Sequence, residues 1–207
     1  MKKKILVLCV VLALAATTII GGTLAYFTDT DNKTNTFTVG KVDITLTEPE
    51  WDEEQAKLMP SRVIPKDPTI TVTNDSERAY TFMKVQLSED FRELITSYYT
   101  NTGSDSQNMF TDWFTTEVGP KIMKADLDEG YVILGVLSPK NPGESVTYFD
   151  EVKIPADVEA SMIKVDGVYE IEITAYAIQA EGFEGEGVAP QEARQAAYNA
   201  LFPPVSN

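Results

Sequence analysis

The chain has 207 residues, with 17 Lys plus Arg against 32 Asp plus Glu, one Cys and no His, for a formal charge of -15. Without an imidazole it can build no Ser-His-Asp triad, no Cys-His dyad and no HExxH zinc site. Its negative field, unbroken by any basic stripe, argues against nucleic-acid binding, while 43% hydrophobic residues are too many for a wholly disordered chain.

The first residues read as an export signal. Lys2, Lys3 and Lys4 precede an apolar run over residues 5–16, and the small-residue site Thr23-Leu24-Ala25 follows. This is the layout of a secretory signal peptide over residues 1–25, cut between Ala25 and Tyr26. A retained anchor is the alternative, since the uncharged stretch 5–27 is long enough to span a bilayer. Gly21 and Gly22 favour cleavage, so membrane contact is expected only before it. Cys9 lies inside the apolar run, without the small residue before it that lipidation needs. The mature chain therefore has no cysteine and must be held by a packed core instead of disulfides.

Residues 26–41 form an extended segment ahead of the domain. Seven threonines between Thr28 and Thr47 favour extended backbone, and Tyr26, Phe27, Phe37 and Val39 supply apolar side chains. Apolar residues alternate as Phe37 and Val39, then as Val42, Ile44 and Leu46, so the phase slips at Gly40-Lys41, where a bulge is predicted. Such a segment suits donor-strand addition, in which main-chain bonds extend a neighbour's sheet and alternate side chains fill its groove. It can equally be the first strand of its own domain. Asp29, Asp31 and Asn32 superficially match a calcium loop, but the glycine and the bidentate glutamate are missing.

Further strands are predicted over 70–73, 80–87, 131–137, 146–154 and 168–177, separated by Pro65, Pro68, Asn74-Asp75, Asn141-Pro142-Gly143 and Asp166-Gly167. The last pair is expected to make a primed turn joining 162–165 to 168–177 as a hairpin. Helical spacing appears twice. Residues 90–99 carry Phe91, Leu94, Ile95 and Tyr98, and residues 192–201, opened by Pro190, align Ala193, Ala197 and Leu201. The polar stretch 101–108 reads as an exposed loop. The expected fold is mainly all-β: a two-sheet β-sandwich over residues 42–207 with one or two short helices, one of them C-terminal near 191–201.

Candidate chemistry is sparse. Asp126, Asp128 and Glu129 precede Gly130 and are weak metal candidates, with a solvated turn as the competing reading. Residues 181–187 (EGFEGEG) read as an acidic linker and not a phosphate loop, because the acids would repel phosphate. No pair of carboxylates is singled out for acid-base work, so no catalytic residue and no cofactor is expected.

The segment Gly21-Gly22-Thr23-Leu24-Ala25-Tyr26-Phe27-Thr28-Asp29-Thr30, followed by Asn35-Thr36-Phe37-Thr38-Val39-Gly40-Lys41-Val42-Asp43-Ile44, resembles the start of the camelysin/TasA family. Residues 65–74 (PKDPTITVTN), 80–87 (YTFMKVQL), 175–184 (AYAIQAEGFE) and 197–201 fit the same pattern. The resemblance implies a Gram-positive secreted protein whose signal peptide is removed by an ER-type signal peptidase, and a jelly-roll form of the sandwich. For TasA-like members it implies biofilm matrix fibres built head to tail by donor-strand complementation, from copies of one subunit or with a related one. Two other readings stay open: a monomeric or accessory cell-surface binding protein, and a camelysin-type surface metalloendopeptidase. Without His or mature Cys, the last would have only carboxylates, carbonyls and water to hold a metal.

Overall fold

The computed structural model describes residues 41–54, 56–103, 109–114 and 116–204. The chain divides into two compact units, Met1–Val39 and Gly40–Asn207, and all described residues belong to the second. The signal peptide, the cleavage pair Ala25 and Tyr26, the donor residues Phe27, Phe37 and Val39, the Asp29-Asp31 stretch and Gly40 of the predicted bulge lie outside the described residues.

Among the described residues there are nine strands: β1 Ile44–Thr47, β2 Val63–Pro65, β3 Thr69–Val72, β4 Ala79–Leu87, β5 Ile122–Asp126, β6 Tyr131–Gly135, β7 Ser145–Thr147, β8 Glu151–Lys153 and β9 Ile171–Gln179. Three α-helices join them: α1 Glu89–Thr102, α2 Met109–Trp113 and α3 Pro190–Leu201. The expected mainly-β sandwich is the fold that forms. One layer is the antiparallel sheet β5-β6-β4-β9, and the other holds β1-β3-β7 and β2-β8. In that second layer β2 and β3 behave as two halves of one bent strand. Pro65 and Pro68 cannot donate to a ladder, so pairing breaks between them. Lys66 N–H to Asp150 O (3.1 Å) and Tyr148 N–H to Pro68 O (3.1 Å) carry it across.

The same break corrects the expectation of one strand over 146–154. Tyr148 and Phe149 are adjacent yet both pack into the same core between the layers, which a regular pleat forbids because consecutive side chains point to opposite faces. The chain kinks there and resumes as β8. The kink also ties the layers together, since the Tyr148 hydroxyl donates to Thr81 O at 2.6 Å and lies 3.0 Å from Thr81 Oγ1. Complete burial pushes the Tyr148 hydroxyl pKa well up, so it is a permanent donor at ordinary pH.

Between the layers lies the main core, with Ile64, Ile70, Tyr148 and Val152 on one side and Met83, Val85, Val132 and Leu134 on the other. Helix α1 closes one end by burying Phe91, Leu94, Ile95 and Tyr99. A smaller cluster covers the outer face of the four-stranded sheet. Helix α3, opened by Pro190 as its first residue, lays Ala193, Ala197 and Tyr198 on Tyr80 and Phe82. Gly135 is needed beneath it, because a Cβ there would sit 2.7 Å from the Phe82 ring.

The predicted hairpin at 162–168 is not present. Residues 160–162 form a 3-10 turn and β9 begins only at Ile171. Gly167 N–H bonds Lys164 O at 3.1 Å, which centres the turn on Val165-Asp166, and Gly167 has no positive φ. Side chains from α1 take the backbone partners that a hairpin would have used. Strands β2 and β5 and helix α2 have no counterpart in the sequence reading.

Tyr148→Phe should lower unfolding stability by about 1–3 kcal/mol, because it leaves buried acceptors on Thr81 without their donor. A urea titration of the mature protein checks this through a lower midpoint at unchanged slope.

Candidate functional site

The described residues offer one long unpaired backbone edge and one sizeable groove, and the two adjoin. Strand β9 pairs with β4 over nine residues, from Leu87 opposite Ile171 to Ala79 opposite Gln179. Among the described residues no strand occupies its other edge. Pleat alternation sends Ile171, Ile173 and Ala175 toward the main core, while Tyr176 and Ile178 join the cluster under α3.

At the Ile171 end the edge opens into a groove of about 750 Å3, with Trp51, Leu58, Ile64, Phe91, Tyr169 and Ile171 among its lining residues. One wall is the segment between β1 and β2, which is fixed at its start by a buried cation. Lys66, 3% exposed, places Nζ 2.7 Å from Glu48 Oε1 and 4.3 Å from the centroid of the Trp51 ring. A cation this deep is costly to leave without a partner, so removing Glu48 would strand a buried charge. The Trp51 ring itself is 40% exposed and faces the opening.

The opposite rim is the turn at 163–169, docked onto the start of α1. Ser88 occupies the helix N-cap position without capping. Its hydroxyl instead donates to Val168 O (2.6 Å) and accepts Glu170 N–H (3.0 Å). Asp90 Oδ2 accepts Val168 N–H at 2.8 Å, and Lys164 Nζ lies 2.6 Å from both Asp90 Oδ1 and Glu93 Oε2. The hydrogen bond from Lys164, followed by that from Val168 N–H, holds the Asp90 carboxyl below the ordinary aspartate value of 3.8. The same two carboxylates push the Lys164 ammonium well above its ordinary value. Val165, at the tip of this turn, is 99% exposed.

The other sequence candidates sit elsewhere. Asp126, Asp128 and Glu129 occupy the turn between β5 and β6, where Asp126 Oδ1 accepts Glu129 N–H at 3.1 Å and Arg92 donates to the Asp128 carbonyl. These bonds close a hairpin turn around Gly130, whose φ is 68°. Among the described residues no three His, Cys, Asp or Glu side chains group in a way that could hold a metal ion. Residues 181–187 are pinned rather than free, since Glu184 pairs with Arg78 and Phe183 packs edge-on to Tyr80. No helix among the described residues is long and apolar enough to cross a membrane. Sequence reasoning missed Trp51, Lys66 and Glu48. The visible signal was a tryptophan within an otherwise acidic stretch, EPEWDEE, which has no reason to be there unless it packs.

The family described as camelysin metallo-endopeptidase matches residues 1–111, more than half of the chain. The chain belongs to the camelysin/TasA family. The match takes in the groove wall, with Glu48, Trp51 and Lys66, and stops short of β9. A search of curated proteins finds no match. The family's description implies a catalytic metal, and the donors present do not fit the zinc of ordinary metallopeptidases. The whole chain has no His, and its one Cys is Cys9, whereas zinc sites draw on imidazole and thiolate.

Asp90 makes a pH prediction possible. Its carboxyl has a lowered folded-state pKa, so its contribution is present above 3.8 and lost as pH falls through the lower folded value. The protection factor of the Val168 amide, followed by hydrogen exchange, should drop on acidification below about pH 4. In Asp90→Ala it should be low at every pH, with the global melting transition little changed because the Lys164 end of the pair is exposed to solvent.

Proposed function

We propose that the mature protein is a secreted structural subunit of extracellular biofilm matrix fibres, assembling head to tail by donor-strand complementation. The observation that carries this reading is the nine-residue unpaired edge of β9 beside an apolar groove. Free edges are an aggregation hazard that proteins blunt with charges, proline or a bulge, and β9, IEITAYAIQ, has no proline, no bulge and a single charge, Glu172, near its start. An edge left open in this way suits an incoming strand. The donor is the segment from Tyr26 to Val39, freed at its amino end when a signal peptidase cuts after Ala25. Its alternate side chains, Phe27, Phe37 and Val39 among them, fill the groove while its backbone pairs with β9. A contact between two different surfaces of one subunit does not close on itself, so it propagates a filament. The partner is another copy of the chain or a related matrix subunit, and the place of assembly is the cell surface or the matrix outside it.

Deleting residues 26–39 should abolish filaments seen by electron microscopy while preserving a cooperative melting transition. Phe27→Asp and Phe37→Asp should weaken assembly more than Thr30→Asp, since each phenylalanine contributes roughly 1.5–3 kcal/mol if fully buried on docking and a buried charge opposes it. Loss of the melting transition on deletion would make the segment an internal strand of its own sandwich. Normal filaments after deletion would move assembly to another surface.

The peptidase reading supplied by the family's description meets a separate test. Purified mature protein should contain no stoichiometric zinc by elemental analysis and should cleave no casein in a chelator-sensitive way. Proteolysis lost on chelation and restored by zinc would establish an enzyme and remove the structural reading's priority.

A further inference from the structure

Three neighbouring strands of the second layer carry the same short pattern in register. β1 contains Thr45-Leu46-Thr47, β3 Thr69-Ile70-Thr71 and β7 Ser145-Val146-Thr147. Pairing sets Thr71 between Thr45 and Ser145, and Thr69 between Thr47 and Thr147. Ile70 is buried, and Ile44 and Val146 pack on the main core, so alternation turns the six hydroxyl residues to the opposite face. Thr45, Thr47, Ser145 and Thr147 are exposed there and Thr69 and Thr71 half-buried. The result is a grid of two rows of three, about 4.8 Å apart between strands and about 6.7 Å along them.

The grid is partly locked before anything binds. Thr69 Oγ1 lies 2.7 Å from Thr147 Oγ1, and Thr71 Oγ1 lies 2.8 Å from Ser145 Oγ. These bonds, with the stiff χ1 of threonine, reduce the rotamer freedom that binding would cost. Each hydroxyl has one donor and two acceptor positions, so the cross-strand bonds leave capacity toward solvent.

Charge and chemistry narrow what fits. All six positions are uncharged, in a chain whose formal charge is -15. In the next row Asp43, opposite the Thr73 end of β3, is paired with Lys41 at 2.9 Å, and Lys41 also reaches Asp75 at 3.2 Å. An anionic partner is repelled by the chain as a whole, and a cationic one meets no carboxylate within the grid. A purely apolar partner would strip water from six hydroxyls and return no hydrogen bond. What remains is a neutral partner that donates and accepts at regular intervals. Each threonine also shows a methyl group beside its hydroxyl, an alternation of C–H and O–H that the flat side of a sugar ring shares.

We propose that this grid binds a neutral, hydroxyl-rich polysaccharide, a β-linked glycan laid across β1, β3 and β7. The grid covers roughly 200 Å2 on those spacings, against about 800 Å2 a side in a stable protein interface. So small a patch disfavours a second copy as the occupant and makes single-site glycan binding weak and reversible. The site uses neither the β9 edge nor the groove, so it stands or falls apart from the fibre reading.

The experiment measures how much of the mature chain sediments with amorphous cellulose, a neutral β-linked glucan, below the concentration at which light scattering detects assembly. Binding should saturate, change little with added salt, and be competed by soluble cello-oligosaccharides but not by polygalacturonate, an anionic glycan. Thr45→Val/Thr47→Val removes two hydroxyls outside the cross-strand bonds while keeping strand-forming residues, and should weaken binding about tenfold. Thr96→Val, on the exposed side of α1, should leave it unchanged. The melting transition checks that the variants fold, and Thr71→Val/Thr147→Val gives the same reading if the first pair does not. No sedimentation with cellulose overturns the proposal, as does equal sedimentation of the valine variants. Binding that falls steeply with salt, or that polygalacturonate competes, overturns it by placing attachment at charged groups. Valine variants that change only self-association overturn it by making the grid a contact between copies.

Discussion

Strand β4 is covered on both faces, and the rest of the domain is arranged by that demand. Its residues from Ala79 to Met83 are all buried, which is unusual for an antiparallel strand, where one face commonly meets water. The sandwich core covers Met83 and Val85, while α3 covers Tyr80 and Phe82. A chain with a single cysteine forms no disulfide within itself, so this double burial carries stability that disulfides would otherwise supply. The sheet has four strands with β4 inside it, flanked by β6 and β9. With β4 satisfied on both sides, the open hydrogen-bonding positions fall to the outer strands β5 and β9, of which β9 is the longer.

The groove depends on a second constraint, local and electrostatic. The segment between β1 and β2 has no regular structure of its own apart from tight turns such as Met59 to Arg62, where Ser61 adopts a positive φ of 61°. It is held by Glu48 on the buried Lys66, by Trp51 over the same ammonium, and by Glu50 N–H on Asp67 Oδ1 at 2.9 Å. On the other rim Ser88, Asp90, Glu93 and Lys164 act together. Each wall is thus set by polar side chains that have left their commonest local roles, a surface lysine in one case and a helix cap in the other.

Much of the fold was legible because its signals are periodic and local. β4 and β9 stand out by apolar content, α1 by the spacing of Phe91, Leu94 and Ile95, and α3 by Pro190 at its opening. What failed was non-local. Residues 146–154 look like one strand, and only the packing of Tyr148 on Thr81 and of its neighbour Phe149 on Phe114 within one core breaks it. Asp166-Gly167 looks like a hairpin turn, and only Ser88 and Asp90, far away in sequence, draw the backbone elsewhere. Val63 to Pro65 is too short and too close to proline to read as a strand, yet β8 gives it a partner. The groove beside β9 was not legible, because Trp51, Lys66 and Ile171 come from three distant stretches with no shared period.

Among the described residues six cations are folded into internal pairs: Lys41, Lys66, Arg78, Lys124, Lys153 and Lys164 each contact a carboxylate of their own chain. The surplus acids are left facing outward. Subunits of this kind strung into a filament make a polyanionic rod surrounded by its own counterions, and the repulsion between neighbouring rods decays over a Debye length of about 8 Å at physiological salt. The mesh size of a matrix woven from such rods would be set by the ionic strength of the medium, so that dilution swells the gel and brine collapses it.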